Sequence, residues 1–160
     1  MLNIIGVKMT KKRMEEYIET IYEIAKKKGY ARVKDVSQHF NIGSSAVSEM
    51  FRKLNEEGYV KYERYGVATL TAKGKKIAIA LEKKHRALRE FFTILGLDEK
   101  MADENACVIE HVINPEIMER LAKFVDFIKS HRDPRWLERF KTYYETGELP
   151  ECPRTIKKDM

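Results

Sequence analysis

The chain has 160 residues and a mass of 18.8 kDa, with 43% hydrophobic and 35% charged residues. That length allows one to one-and-a-half domains with a real core, and the balance fits a globular chain rather than a disordered one. The longest apolar run, Ile77–Leu81, falls far short of the ~20 residues that span a bilayer. No signal-peptide pattern opens the chain, and Cys107 and Cys152 are too few for a disulfide scaffold, so a cytoplasmic protein without a membrane partner is expected.

The net charge of +6 is unevenly placed. Residues 1–76 carry 16 Lys/Arg against 9 Asp/Glu, whereas residues 77–160 carry 15 against 16. A basic half joined to a neutral half points to a polyanion-binding module, with double-stranded DNA as the chief candidate, attached to something else.

Thr10 to Lys27 reads as an amphipathic helix ended by Gly29. At about 100° per residue, Met14, Tyr17, Ile18, Ile21, Tyr22, Ile24 and Ala25 share one side, and Glu15, Glu16, Glu19 and Glu23 the other. A short helix fits Val33–Phe40, followed by the turn Asn41-Ile42-Gly43. A third helix is expected from about Ser45 to Glu57, with Val47, Met50, Phe51 and Leu54 inward and Gly58 as its stop. Tyr59–Glu63 and Val67–Leu70 read as strands turning at Tyr65-Gly66. Thr71 caps a long helix, about Ala72–Leu95, closed by Gly96. Asp98 starts a helix through Ile113, Asn114-Pro115 starts the next, and Asp133-Pro134 introduces a last one through Tyr144, before a loose tail.

The order helix, helix, tight turn, helix, two-stranded ribbon is that of a winged helix-turn-helix, whose second helix enters the major groove. The expected fold is mainly α: a winged helix-turn-helix over residues 1–75, an all-helical domain over 76–147 and a tail over 148–160. Ser44, Ser45, Ser48, Glu49 and Arg52 remain outward on the recognition helix, with Lys53 beside them. Lys61, Arg64 and Tyr65 sit on the wing, placed for backbone phosphates. A winged helix used for protein contacts is the alternative.

Cys107, Glu110 and His111 fall on one side of their helix at i, i+3 and i+4, with Val108, Ile109, Val112 and Ile113 expected to bury the other. A thiolate, a carboxylate and an imidazole can grip a divalent transition ion, a set too soft for Mg²⁺ or Ca²⁺. The same spacing also arises in surface ion pairs, and both readings stay open at this point. His85, at the edge of the stripe Ile77, Leu81, Leu88, Phe92, Leu95, reads as a core histidine or a ligand. Glu16 and Glu19 read as a solvated face or as oxygens offered to a metal. His39 and His131 show no supporting neighbours, and Cys152 reads as an ordinary tail residue.

The chain resembles the diphtheria-toxin-repressor/manganese-transport-regulator family of metal-dependent transcriptional repressors. The resemblance rests on Met14-Glu-Glu-Tyr-Ile-Glu-Thr-Ile-Tyr22, Gly29-Tyr-Ala-Arg-Val33, Tyr59-Val-Lys-Tyr-Glu-Arg-Tyr65, Leu70-Thr-Ala-Lys-Gly74, His85 with Phe91-Phe92, and Ile109-Glu-His111. It covers about residues 9–130, and the order and spacing of these stretches make it specific. It implies a metal-binding and dimerisation domain after the winged helix, with ligands at Glu16, Glu19, His85, Cys107, Glu110 and His111. Cys107 stands where iron-type members have cysteine and manganese-type members glutamate, while Glu16 keeps an oxygen as in the manganese type, so the site is a hybrid. Arg89 replaces a carboxylate of the family's second metal site, Asp103 a histidine of the iron type, and Ser44 a common proline.

These readings converge on a homodimeric, metal-activated repressor of palindromic operator DNA that is not an enzyme. The expected ion is Fe²⁺, then Mn²⁺, then Zn²⁺. The rivals are a redox-sensing winged-helix regulator using Cys107, a metalloenzyme with Glu110 as general base, and a protein-interaction module with an incidental metal.

Overall fold

The computed structural model describes residues 10–63, 65–130 and 135–150; Arg64, His131, Asp133-Pro134 and Cys152 lie outside them. The first helix, α1 (Lys11–Lys28), starts where the Thr10 hydroxyl accepts from the Arg13 amide at 3.3 Å. It ends at Gly29, whose φ of 84° is the left-handed conformation a helix stop needs, with Lys26, Lys27 and Lys28 facing the negative end of the helix dipole. Its apolar side, Tyr17, Ile18 and Ile21, is buried. The segment Ala31–Arg32 forms a short strand, β1, followed by α2 (Val33–Phe40), α3 (Ser44–Glu56), β2 (Val60–Glu63) and β3 (Val67–Leu70). The strands form an antiparallel sheet in the order β1-β3-β2.

β1 escaped the sequence because two residues carry no alternation. It exists through tertiary pairing of Ala31 with Ala68 and Arg32 with Val67, helped by the Val33 amide donating to the Gly66 carbonyl at 2.9 Å. One core joins these elements: Tyr17, Ile18 and Ile21 of α1, Val36 of α2, Val47, Met50, Phe51 and Leu54 of α3, and Val60, Ala68 and Leu70 of the sheet.

The long helix α4 (Ala72–Ile94) begins at Thr71, whose hydroxyl accepts from the Gly74 amide and donates to the Gly58 carbonyl. A Cβ at Gly74 would collide with the Tyr59 carbonyl oxygen, so the close approach of helix and strand requires glycine there. Ala78 closes the first core, while Leu88, further along, belongs to a second core with Ala106 and Met118. One continuous helix therefore carries both cores.

α5 (Glu99–Ile109), α6 (Pro115–Ser130) and α7 (Arg135–Thr146) complete the described chain. α5 is shorter than expected. Its regular bonding stops at Ile109, with Glu110 as the C-cap, and the Val112 and Ile113 amides both return to the Ile109 carbonyl. Pro115 disfavours helix in the residue before it, and Asn114 instead accepts from the Glu116 amide to start α6. A second correction concerns the buried face of α5. Ala102, Ala106 and Glu110 are buried and Ile109 and Ile113 pack on the second core, whereas Val108 (59% exposed) and Val112 (70% exposed) face outward. Packing against α4 and α6 selects the Ala102–Ala106–Ile109 stripe, and an apolar count cannot tell which of two stripes a neighbour covers. Among the described residues no helix is long and apolar enough to cross a membrane.

Candidate metal centre and DNA-reading face

α1, α4 and α5 bring together acids and histidines distant in sequence. Glu19 of α1, Glu110 and His111 each offer a donor atom, all within 4.8 Å of one another. His111 Nε2 lies 3.4 Å from Glu110 Oε1 and 4.0 Å from Glu19 Oε2. His85 of α4 bridges two acids, its Nδ1 lying 3.0 Å from Glu110 Oε2 and its Nε2 3.0 Å from Asp103 Oδ1.

The Glu110 side chain is fully buried, yet its Oε1 has no hydrogen-bond partner. A buried carboxylate oxygen without a hydrogen bond is costly, and such oxygens are normally hydrogen-bonded or bound to a metal. The residues present thus fit a divalent transition cation, since carboxylates and imidazoles at this spacing supply the oxygen and nitrogen donors such ions take.

Electrostatics agree. Burial, then the Glu110 charge, pushes Glu19 up to about 7. The hydrogen bond to Glu110, reinforced by Asp103, raises His85 to about 9 against the opposing effect of burial. Burial and then the surrounding carboxylates, Glu110 first, also raise the Cys107 thiol.

The six ligand candidates are not equally close. Glu19, Glu110 and His111 form the tight group, and His85 contacts it through Glu110. Cys107 is exposed and lies with His85, Asp103, Glu19 and Glu23 on a cleft of about 450 Å³. Glu16 is half-buried, 3.8 Å from Lys12, and its charge reaches Cys107 without joining the tight group. His39, which had no evident neighbours in sequence, lines the same cleft.

Two acids were missed. Glu15, counted on the solvated side of α1, is only 6% exposed, and its Oε2 lies 3.1 Å from His111 Nδ1. A carboxylate that accepts from Nδ1–H fixes the tautomer that leaves the Nε2 lone pair facing Glu110 and Glu19. Asp103 holds His85 by its other ring nitrogen, so that the imidazole is fixed between Asp103 and Glu110. Spacing offered a partial signal: Glu15 stands four residues before Glu19, and Asp103 stands four before Cys107 and seven before Glu110, but which of the neighbouring acids is buried was not in that spacing.

In the first domain α3 presents exposed Ser44, Ser45, Glu49 and Arg52, with Ser48 and Lys53 half-buried. Lys61 and Tyr65 are exposed on the wing, Tyr65 at 92%. Two family models match the chain. Residues 9–68 match the iron dependent repressor N-terminal DNA binding domain, and residues 71–139 the iron dependent repressor metal binding and dimerisation domain.

The chain belongs to the iron-dependent repressor family. It is 38% identical over 121 residues to the HTH-type transcriptional regulator MntR of Bacillus pumilus, covering 76% of this chain and 84% of that protein. Identity to the MntR of Lysinibacillus sphaericus is 36% over 132 residues, covering 82% and 95%. The solved structure of the manganese regulator SloR superposes with a TM-score of 0.61 at 32% identity over 74% of this chain. There the chain spans about half, 55%, of the SloR chain. The protein is thus a metal-dependent transcriptional regulator of the diphtheria-toxin-repressor/manganese-transport-regulator type, with a winged helix-turn-helix and a helical metal-binding and dimerisation domain. Family members are repressors rather than enzymes.

Proposed function

We propose that this chain represses transcription by closing two domains around a divalent ion held by Glu16, Glu19, His85, Cys107, Glu110 and His111. The reading domain runs over residues 1–75, the ion-binding and pairing domain over 76–147, and the tail over 148–160. The observation that carries the reading is the buried Glu110 Oε1, which makes no hydrogen bond and lies within 4.8 Å of donor atoms of His111 and of a carboxylate from the other domain, Glu19. The bound ion supplies positive charge that lets these carboxylates stay ionised at close quarters. Glu19 then ties α1 to α5, and through α1 fixes the recognition helix, since Ile18 and Ile21 share one core with Val47 and Phe51.

In the metal-free chain burial and the Glu110 charge oppose ionisation of Glu19, so bringing the two acids together costs free energy and the DNA-competent arrangement is a minority state. Loading raises DNA affinity by the population factor, roughly 10–1000-fold. Exposed Val108, Val112, Ile117, Phe124 and Phe127 provide an apolar surface for pairing with a second copy. Two-fold pairing sets recognition helices about one DNA turn apart, ~34 Å, and so asks for a palindromic operator. Fe²⁺ and Mn²⁺ lead Zn²⁺ as the ion. Action in the cytoplasm belongs to the same proposal.

The test is a DNA-binding titration across Mn²⁺, Fe²⁺ and Zn²⁺ with a chelator control. Metal-dependent gain on specific DNA is expected. Equal affinity with and without chelator overturns the reading.

A further inference from the structure

The recognition helix carries one feature that binding to a polyanion does not explain. Val47, Met50, Phe51 and Leu54 turn α3 into the core, leaving Ser45, Glu49 and Arg52, at i, i+4 and i+7, along the outer stripe. Glu49 is exposed in the middle of that stripe, its carboxylate 2.8 Å from Lys53 Nζ. The Lys53 ammonium, and more weakly Arg52, hold Glu49 below the ordinary carboxylate range.

A fixed negative charge on a face that meets phosphates is unfavourable unless a donor meets it. An ionised carboxylate only accepts hydrogen bonds. In the major groove the donors on base edges are the cytosine N4 and adenine N6 amino groups. Adenine places its N7 acceptor beside N6, which repels a second acceptor-only group, whereas cytosine offers N4 without an adjacent acceptor on the same base. Lys53 limits the conformational freedom of Glu49 before docking. Arg52, nearly one turn further on, is the cation placed for a guanine.

We propose that Glu49 is a specificity-determining residue that accepts a hydrogen bond from the N4 amino group of one cytosine in each half-site. The inference rests on the DNA-binding reading above and goes further by naming a base and the side chain that selects it.

The experiment is selection from randomised duplex DNA in saturating Mn²⁺, using the full chain and its Glu49→Ala and Glu49→Gln variants. The parent should enrich a two-fold-related motif with one cytosine per half-site that Glu49→Ala no longer selects. Glu49→Gln should shift that position to adenine, whose N6 and N7 a carboxamide meets together, while the other positions keep their preference. In competition binding, replacing that cytosine should weaken the parent roughly 5–150-fold per half-site and Glu49→Ala little. A parent motif unchanged in both variants, including a uniform gain in affinity from lost charge repulsion, overturns the inference alone. A parent that enriches no sequence overturns the regulator reading and this inference with it.

Discussion

Replacing Glu110 by glutamine sets two opposed contributions against each other in the metal-free protein. The wild-type carboxylate is fully buried and its Oε1 makes no hydrogen bond, an arrangement that costs about 1–3 kcal/mol. Its other oxygen accepts from His85 Nδ1 at 3.0 Å, and exchanging that charged acceptor for a neutral amide oxygen costs about 1 kcal/mol. Asp103 still holds His85 from the other side. The net change is between about 0 and 2 kcal/mol of stabilisation, a rise in Tm of up to roughly 8 °C at about 2–4 °C per kcal/mol for a chain of this length. Metal reverses the order. Wild type at a hundredfold excess over Kd gains about 2.7 kcal/mol, whereas Glu110→Gln has lost a negatively charged donor at the centre of the cluster and gains little. Thermal unfolding followed by circular dichroism, with chelator and then with Mn²⁺, reads both arms. A variant clearly less stable than wild type without metal, or one keeping the full metal-dependent rise, refutes the reasoning.

Further expectations concern the supporting residues. Glu15→Gln leaves every proposed ligand in place but weakens the bond that orients His111, so calorimetric Mn²⁺ titration should give a Kd raised about 10–100-fold; an unchanged Kd removes Glu15 from the site. Arg52→Ala should cost about 1–3 kcal/mol on specific DNA and less on random DNA, while Lys61→Ala should weaken both evenly and flatten the salt slope by about 1. Equal losses on both DNAs for Arg52→Ala would take it out of the specificity role. Gly74→Ala should lower the urea midpoint by the equivalent of about 1–3 kcal/mol, because its Cβ meets the Tyr59 carbonyl. Stabilisation by about 1 kcal/mol, the usual result in an unobstructed helix, would show that the contact relaxes freely.

Local chemistry made much of this protein readable in one dimension. Thr10, Gly29, Thr71 and Asn114-Pro115 mark helix ends through bonds made within a few residues, and α1, α2 and α4 fall within a residue or so of their expected bounds. The outward face of α3 followed from the apolar period of Val47, Met50, Phe51 and Leu54. The acids and histidines of α1, α4 and α5 could be singled out because their spacing gives each helix one polar ligand-bearing face.

Tertiary structure decided the rest, because it depends on which faces of separate helices meet. β1 needs β3 to exist at all. Val108 and Val112 are as apolar as Ile109 and Ile113, and only the positions of α4 and α6 determine which pair is covered. Glu15 and Glu16 are neighbours with the same side chain, yet one is buried against His111 and the other half-exposed beside Lys12, since a rotation of about 100° separates them on α1. Sequence spacing assigns a residue to a face of its own helix. The distance from that face to the next helix, which separates an ion pair from a metal site, is set by long-range packing.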